Sequence, residues 1–307
     1  MAAMMATQGA AQQSAINFTR SNEQEADRIG MQVLADAGFD PYAVPNFFRK
    51  LTEQNRFISQ QLAFLQTHPL SQNRVSDTRM RAEQFPQRFV PDSQDFTLSK
   101  ARVLARYHYN KKDAEQVFRK KLSEPGGNTK ANQYGLAITL LDNGKLDQAR
   151  KLIEQLLEKD EHNLYYIDVY TDILLGQKEY QLCLDMLEQQ YLLRPNNQVV
   201  TLNYANAAMK SDGHHLAIHL LKSLLFYKND NILAYDLLSD AYKALGDFGK
   251  YYEARADLAY QMANYPKAID DLNEALNHLK ADARLENRRI EAKKRQLQAE
   301  FERLQRM

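Results

Sequence analysis

Glu23 and Asp27 are the first residues in this chain whose type and spacing could do chemistry. They stand four apart in the stretch Asn22-Glu23-Gln24-Glu25-Ala26-Asp27-Arg28-Ile29-Gly30. Ala26, Ile29, Val33 and Leu34 recur at helical spacing, so the stretch reads as a helix, with Glu23 and Asp27 one turn apart on one face. Stacked acids repel each other unless a metal ion or a basic side chain faces them. The plain alternative is a solvated acidic edge beside Arg20 and Arg28. Glu25 is the rival carboxylate, but it points about 200° around the helix and cannot face the same ion as Glu23. The four-residue spacing to Asp27 favours Glu23.

Histidine chemistry is sparse. Pro69 pushes His68 out of helical geometry in Thr67-His68-Pro69, leaving its imidazole in an extended connection, where a turn histidine capping a carbonyl is the ordinary reading. His214, His215 and His219 include a pair at one-turn spacing with no third ligand near in sequence, so no zinc site is expected there. A helix over 71–84 offers Arg74, Arg79 and Arg81 to neutralise the acids. Glycine-rich phosphate loops and nucleophile elbows are absent from the sequence. The single cysteine, Cys183, excludes an internal disulfide framework and reads as packing.

Taken in order, Glu23-x-x-Ala26-Asp27, Ala37-Gly38-Phe39-Asp40-Pro41, Thr67-His68-Pro69 and Arg74, six residues past that histidine, resemble the zinc metallopeptidases of the M48 family. The resemblance implies Glu23 as a zinc ligand and Asp27 as a carboxylate that orients a ligand histidine. It implies His68 as a further zinc ligand or a transition-state contact. In that family an HExxH helix gives two more ligands and the general base, yet no HExxH occurs in these 307 residues. A zinc peptidase needs three protein ligands and an open position. The expectation is therefore the C-terminal part of a longer protease, with the two-histidine helix before Met1 and no cleavage by this chain alone.

The likeness continues into family members that carry helical repeats. It implies a periplasmic, Zn²⁺-dependent endopeptidase in quality control and assembly of outer-membrane β-barrel proteins. The repeats would hold those proteins or their assembly machinery. The competing reading is a non-catalytic tetratricopeptide adaptor or chaperone.

The elements that must position these residues are helices. Hydrophobic content of 44% supports packed cores, and sparse Gly and Pro fit long helices with short connections. A net charge of +1 gives no global field toward nucleic acid or an anionic membrane. Met1 to Ala15 lacks the charged start of a secretory signal, and no window is apolar enough for a membrane span. A first helix from about Phe18 to Ala37 closes at Gly38, and Asp40-Pro41 restarts the chain as cap and first helical residue. The next helix places Val44, Phe47, Phe48 and Leu51 on one face.

Past a proline-bearing linker the chain repeats. Ala149, Cys183 and Ala217 are 34 residues apart. Ala137, Thr171 and Ala205 precede them by twelve, and Ile153, Leu187 and Leu221 follow by four. That period is the signature of tetratricopeptide helix pairs. Asn143-Gly144-Lys145, Gly176-Gln177-Lys178 and Asp212-Gly213 supply the turns. Ala101, Ala105, Tyr107 and Ala114 suggest an earlier unit. Later units drift, with the helix from Tyr265 to Leu279 borrowing its predecessor as partner. A charged helix, Ala283 to Gln305, caps the end through Leu285, Ile290, Leu297 and Phe301. Most tyrosines of the repeats, among them Tyr165, Tyr166, Tyr204, Tyr235 and Tyr242, are expected to be packing, and any on the concave side would suit bound peptide. The fold class is all-α: a helical remnant of a metallopeptidase domain over 1–85, a linker over 86–92, a tetratricopeptide solenoid over 93–280 and a capping helix over 281–307.

Overall fold

The computed structural model describes residues 21–55, 72–280 and 282–306. The chain divides into two compact units, Met1–Ser93 and Gln94–Met307. Among the described residues every regular element is a helix.

In the first unit, helix α1 covers residues 21–36. Gly38 ends it at φ 86°, with its own N–H on the Ala35 carbonyl and the Phe39 N–H reaching back to Leu34. Such a left-handed close satisfies the last carbonyls and suits glycine. The Asp40 carboxylate accepts the Tyr42 N–H at 3.1 Å, so Asp40 caps a turn that contains Pro41. Helix α2 (Ala43–Asn55) begins after that turn, two residues later than the Asp-Pro pair suggests. Val44, Phe48 and Leu51 are partly buried, but Phe47 is 55% exposed and does not share their face. Helix α3 (Gln72–Ala82) buries Arg74, Thr78 and Ala82. No helix follows Ala82 until Gln94.

The second unit is a stack of helical hairpins. Helix α4 (Gln94–Val103) runs into a π-helical turn, Leu104–His108, and that turn packs against α5 (Lys111–Ser123). Then come α6 (Lys130–Asp142) with α7 (Leu146–Leu157), and α8 (Leu164–Gly176) with α9 (Tyr180–Leu193). They are followed by α10 (Gln198–Lys210) with α11 (His214–Tyr227), and α12 (Ile232–Ala244) with α13 (Phe248–Gln261). The starts at Lys130, Leu164, Gln198 and Ile232 keep the 34-residue step, so the unit expected to drift does not. Helix α14 (Tyr265–Asn277) packs against both α13 and α15 (Arg284–Gln305), and Ile290 and Leu297 of α15 share a core with Ala268, Leu272 and Ala275. The charged last helix thus doubles as the second half of a pair with α14.

Every small or aliphatic residue that set the period is fully buried, from Ala137, Ala149 and Ile153 through Thr171, Cys183 and Leu187 to Ala205, Ala217 and Leu221. Small side chains let paired helices approach, and the aliphatic ones fill the space between successive pairs. Gly135 shows how close the approach is: a Cβ there would lie 2.2 Å from the Phe118 ring. Tyr107 and Leu285, expected inside, are 80% and 82% exposed.

The turns repeat as faithfully as the helices. Gly144, Lys178, Asp212 and Gly246 all take positive φ, between 61° and 74°, at successive 34-residue steps. The glycines expected to make two of these turns, Gly176 and Gly213, do not hold the left-handed position. Gly176 ends α8 against Leu146, and Gly213 lies against the Ala208 carbonyl. At the other end of each pair, Thr129, Asn163, Asn197 and Asn231 cap α6, α8, α10 and α12 through their side-chain oxygens.

Candidate active site

Glu23 and Asp27 lie on α1 with their side chains 13% and 9% exposed. What meets them is Arg74 from α3. Its Nε and Nη2 donate to the two Asp27 oxygens at 2.7 Å each, and its Nη1 lies 2.9 Å from Glu23 Oε2. The guanidinium also sits over the Phe48 ring of α2 at 4.9 Å from its centroid. One cation therefore ties all three described helices of this unit together. The Asp27 hydrogen bonds raise the Arg74 pKa above its ordinary value, against the opposing effect of burial. A planar five-donor fork can serve two carboxylates at once, which a lysine ammonium cannot do with the same geometry.

The other acids and bases of this region are used locally. Glu25 turns outward and pairs with Arg28 one turn away, and that hydrogen bond lowers its carboxyl pKa. Arg81 bonds Asp77 at 2.8 Å on its own helix. Of the three arginines offered by sequence, Arg74 bonds the acids of α1, while Arg81 is taken by Asp77. His68, Thr67 and Pro69 lie outside the described residues.

The resemblance implies that Asp27 orients a ligand histidine, while the contact found is with Arg74. A zinc peptidase site requires three protein donors. Glu23 is one inward oxygen donor, the sequence has no HExxH, and among the described residues no group of three His, Cys, Asp or Glu could hold a metal. The donors among the described residues do not make a zinc site by themselves.

In the repeat unit His214 lies 3.9 Å from Asp212, and the described residues add no further ligand. Cys183 is a buried free thiol, pushed up to about 11 by burial, which suits packing and not nucleophilic work. A cavity of about 580 Å³ opens among α4, α8 and α10, lined by residues that include Asp95, Arg102, Tyr165, Asp168 and Arg194. Arg102 pairs with Asp168 and donates to the Tyr134 hydroxyl at 2.9 Å; Asn203 donates to Asp168 at 2.9 Å. Of the tyrosines named from sequence, Tyr166, Tyr204 and Tyr242 are buried in packing, as expected of most of them, while Tyr165 lines this cavity.

The resemblance to peptidase family M48 holds, for the family's model matches residues 1–82. The chain is similar to the beta-barrel assembly-enhancing protease of Escherichia coli (strain K12), 37% identical over 98% of this chain and 62% of that protein. A putative beta-barrel assembly-enhancing protease of Vibrio cholerae is 35% identical over 90% of this chain and 57% of that protein. This chain thus spans about three-fifths of the length of the curated relatives it matches. Among solved structures, a thermophilic TPR protein of Thermus thermophilus superposes with a TM-score of 0.37 at 16% identity, covering 67% of this chain and 100% of that one. That likeness is too loose to carry functional meaning. No described helix is long and apolar enough to cross a membrane.

Proposed function

We propose that this chain is the repeat-bearing part of a zinc-dependent endopeptidase that acts on outer-membrane β-barrel proteins and their assembly intermediates in the periplasm. The observation that carries the reading is the inward Glu23 carboxylate, steadied by Arg74, within the segment that matches family M48. Glu23 supplies one metal ligand, and an HExxH helix, which this chain does not contain, supplies the others. Zinc held there would supply Lewis acidity toward a peptide carbonyl. Asp27 is a positioning residue: it fixes the guanidinium that in turn holds the Glu23 oxygen. His68 serves as a further ligand or contact at the same centre. The helical pairs hold the client polypeptide, and the cavity beside Tyr165 and Arg102 offers one surface for that. The relatives' names support the choice of client, since they describe proteases that enhance β-barrel assembly.

A second reading rests on a specific observation. A structural ion cluster would also show two acids neutralised by one arginine, so the same contacts serve a non-catalytic adaptor whose first helices only pack. Sequencing the gene upstream of Met1 separates the two. An in-frame HExxH segment supports the peptidase; an in-frame stop codon directly before Met1, with no such segment, leaves the adaptor.

A further inference from the structure

The inner face of α15 spends its cations on neighbouring acids. Arg289 pairs with Glu253 and Glu286, and Lys293 pairs with Glu253 and Asp257. The outer face of its first turns is different. Arg284 and Arg288 stand one turn apart, both exposed, and Lys280 precedes them at the same four-residue step. With Leu276, Leu279 and Asn287 they line a surface hollow of about 410 Å³. Among the described residues none of these three cations enters an ion pair. Of the acids close in sequence, Glu286 is taken by Arg289 and Glu291 by Lys294, which leaves the exposed Asp282. Leu285, 82% exposed, stands between the two arginines in sequence.

We infer that this corner of the last helical pair is a docking surface for an acidic segment of a partner protein, with carboxylates spaced to meet Lys280, Arg284 and Arg288. Charge complementarity is the argument. Three exposed cations that enter no ion pair among the described residues stand together around one hollow. An anionic membrane is the weaker match, because lipid recognition uses clusters of about four to eight basic residues on an open face. Nucleic acid fits less well still, for the whole chain has a pI near 7.8. The exposed Leu285, and Leu276 and Leu279 in the hollow, offer the apolar contact that a protein segment uses and a phosphate does not.

The test uses the intact 307-residue protein and a labelled acidic peptide of alternating Glu and Leu turns, with a Lys-Leu peptide as control. Binding of the acidic peptide to wild type should weaken as salt is raised, and the R284E/R288E protein should bind it at least about tenfold more weakly. R284A/R288A should fall between the two. Because both side chains are exposed and outside ion pairs, thermal unfolding should be unchanged in each variant. Equal affinity in wild type and R284E/R288E overturns the proposal. So does wild-type binding to phosphatidylglycerol vesicles or to duplex DNA without binding to the acidic peptide.

Discussion

Arg74 clasps Asp27 with two hydrogen bonds of 2.7 Å, one to each carboxylate oxygen, across 47 residues of chain. Removing the arginine leaves two carboxylates facing each other with little solvent. Breaking a buried pair of this kind costs about 3–5 kcal/mol. Arg74→Ala should therefore raise amide hydrogen exchange along α1 and α3 while leaving α6 to α13 untouched. Arg74→Lys should recover no more than about half of the loss, because an ammonium cannot reproduce the two-pronged bond. Unchanged exchange in α1 for Arg74→Ala would mean that the clasp is not what holds these helices.

The left-handed turns give a prediction of opposite sign. Lys178 and Asp212 take φ 61° with side chains exposed to solvent, where glycine would pay no steric penalty. A left-handed L-residue costs roughly 1–2 kcal/mol, and glycine gives back about 0.5–1 in chain entropy. Lys178→Gly and Asp212→Gly should each stabilise the repeat unit by about 0.5–1 kcal/mol in urea unfolding. Gly246→Ala should destabilise it by about 1 kcal/mol. A Lys178→Gly protein less stable than wild type would contradict this account of the turn.

Stability should fall in alkali. The Cys183 thiol is raised by burial from 9.0 to about 11, so the unfolded chain loses this proton first. The contribution is complete below pH 9 and is lost as pH rises from 9 toward 11, by up to about 1.4 kcal/mol per pH unit. Buried Tyr134 and Tyr166, each pushed up to about 12, add the same sign above pH 10. Urea midpoints should drop over this range, less steeply between about pH 9 and 10 in Cys183→Ala. In the native protein at about pH 8 the thiol should resist a disulfide reagent until denaturant is added.

Three apolar clusters lie wholly within the second compact unit, so residues 94–307 expressed alone should fold. Circular dichroism should show the same helical melting transition for the repeats as the full chain does. The fragment should keep client binding and show no specific zinc uptake. A fragment that is unfolded in isolation would displace the boundary from the stretch around Ser93.

What could be read in advance follows from period. Positions that recur every 34 residues announce themselves, which is why Ala149, Cys183 and Ala217 were legible as a packed column. The same step also runs through Thr129, Asn163, Asn197 and Asn231, a ladder of caps that was visible in the sequence but is easily passed over among polar residues. The last pair was harder, because α15 is rich in charge and its buried apolar positions, Ile290 and Leu297, are few. Phe47, Tyr107 and Leu285 had the spacing of core residues, yet a large apolar side chain at a helix edge satisfies the pattern without being covered. At the site, helical spacing gave the shared face of Glu23 and Asp27. It could not choose among Arg74, Arg79 and Arg81, since which helix crosses α1, and at what height, is a tertiary fact. A local partner for Arg81 at Asp77 was the available clue.

The central claim is that the Glu23 carboxylate completes a zinc cage. Calorimetric zinc titration of the protein extended upstream to include an HExxH segment tests it, comparing wild type with Glu23→Gln. Loss of one of three protein ligands should weaken zinc binding by about 100-fold or more, with the helices intact by circular dichroism. Equal zinc affinity in the two proteins would remove Glu23 from the metal and leave the α1–α3 clasp as packing alone.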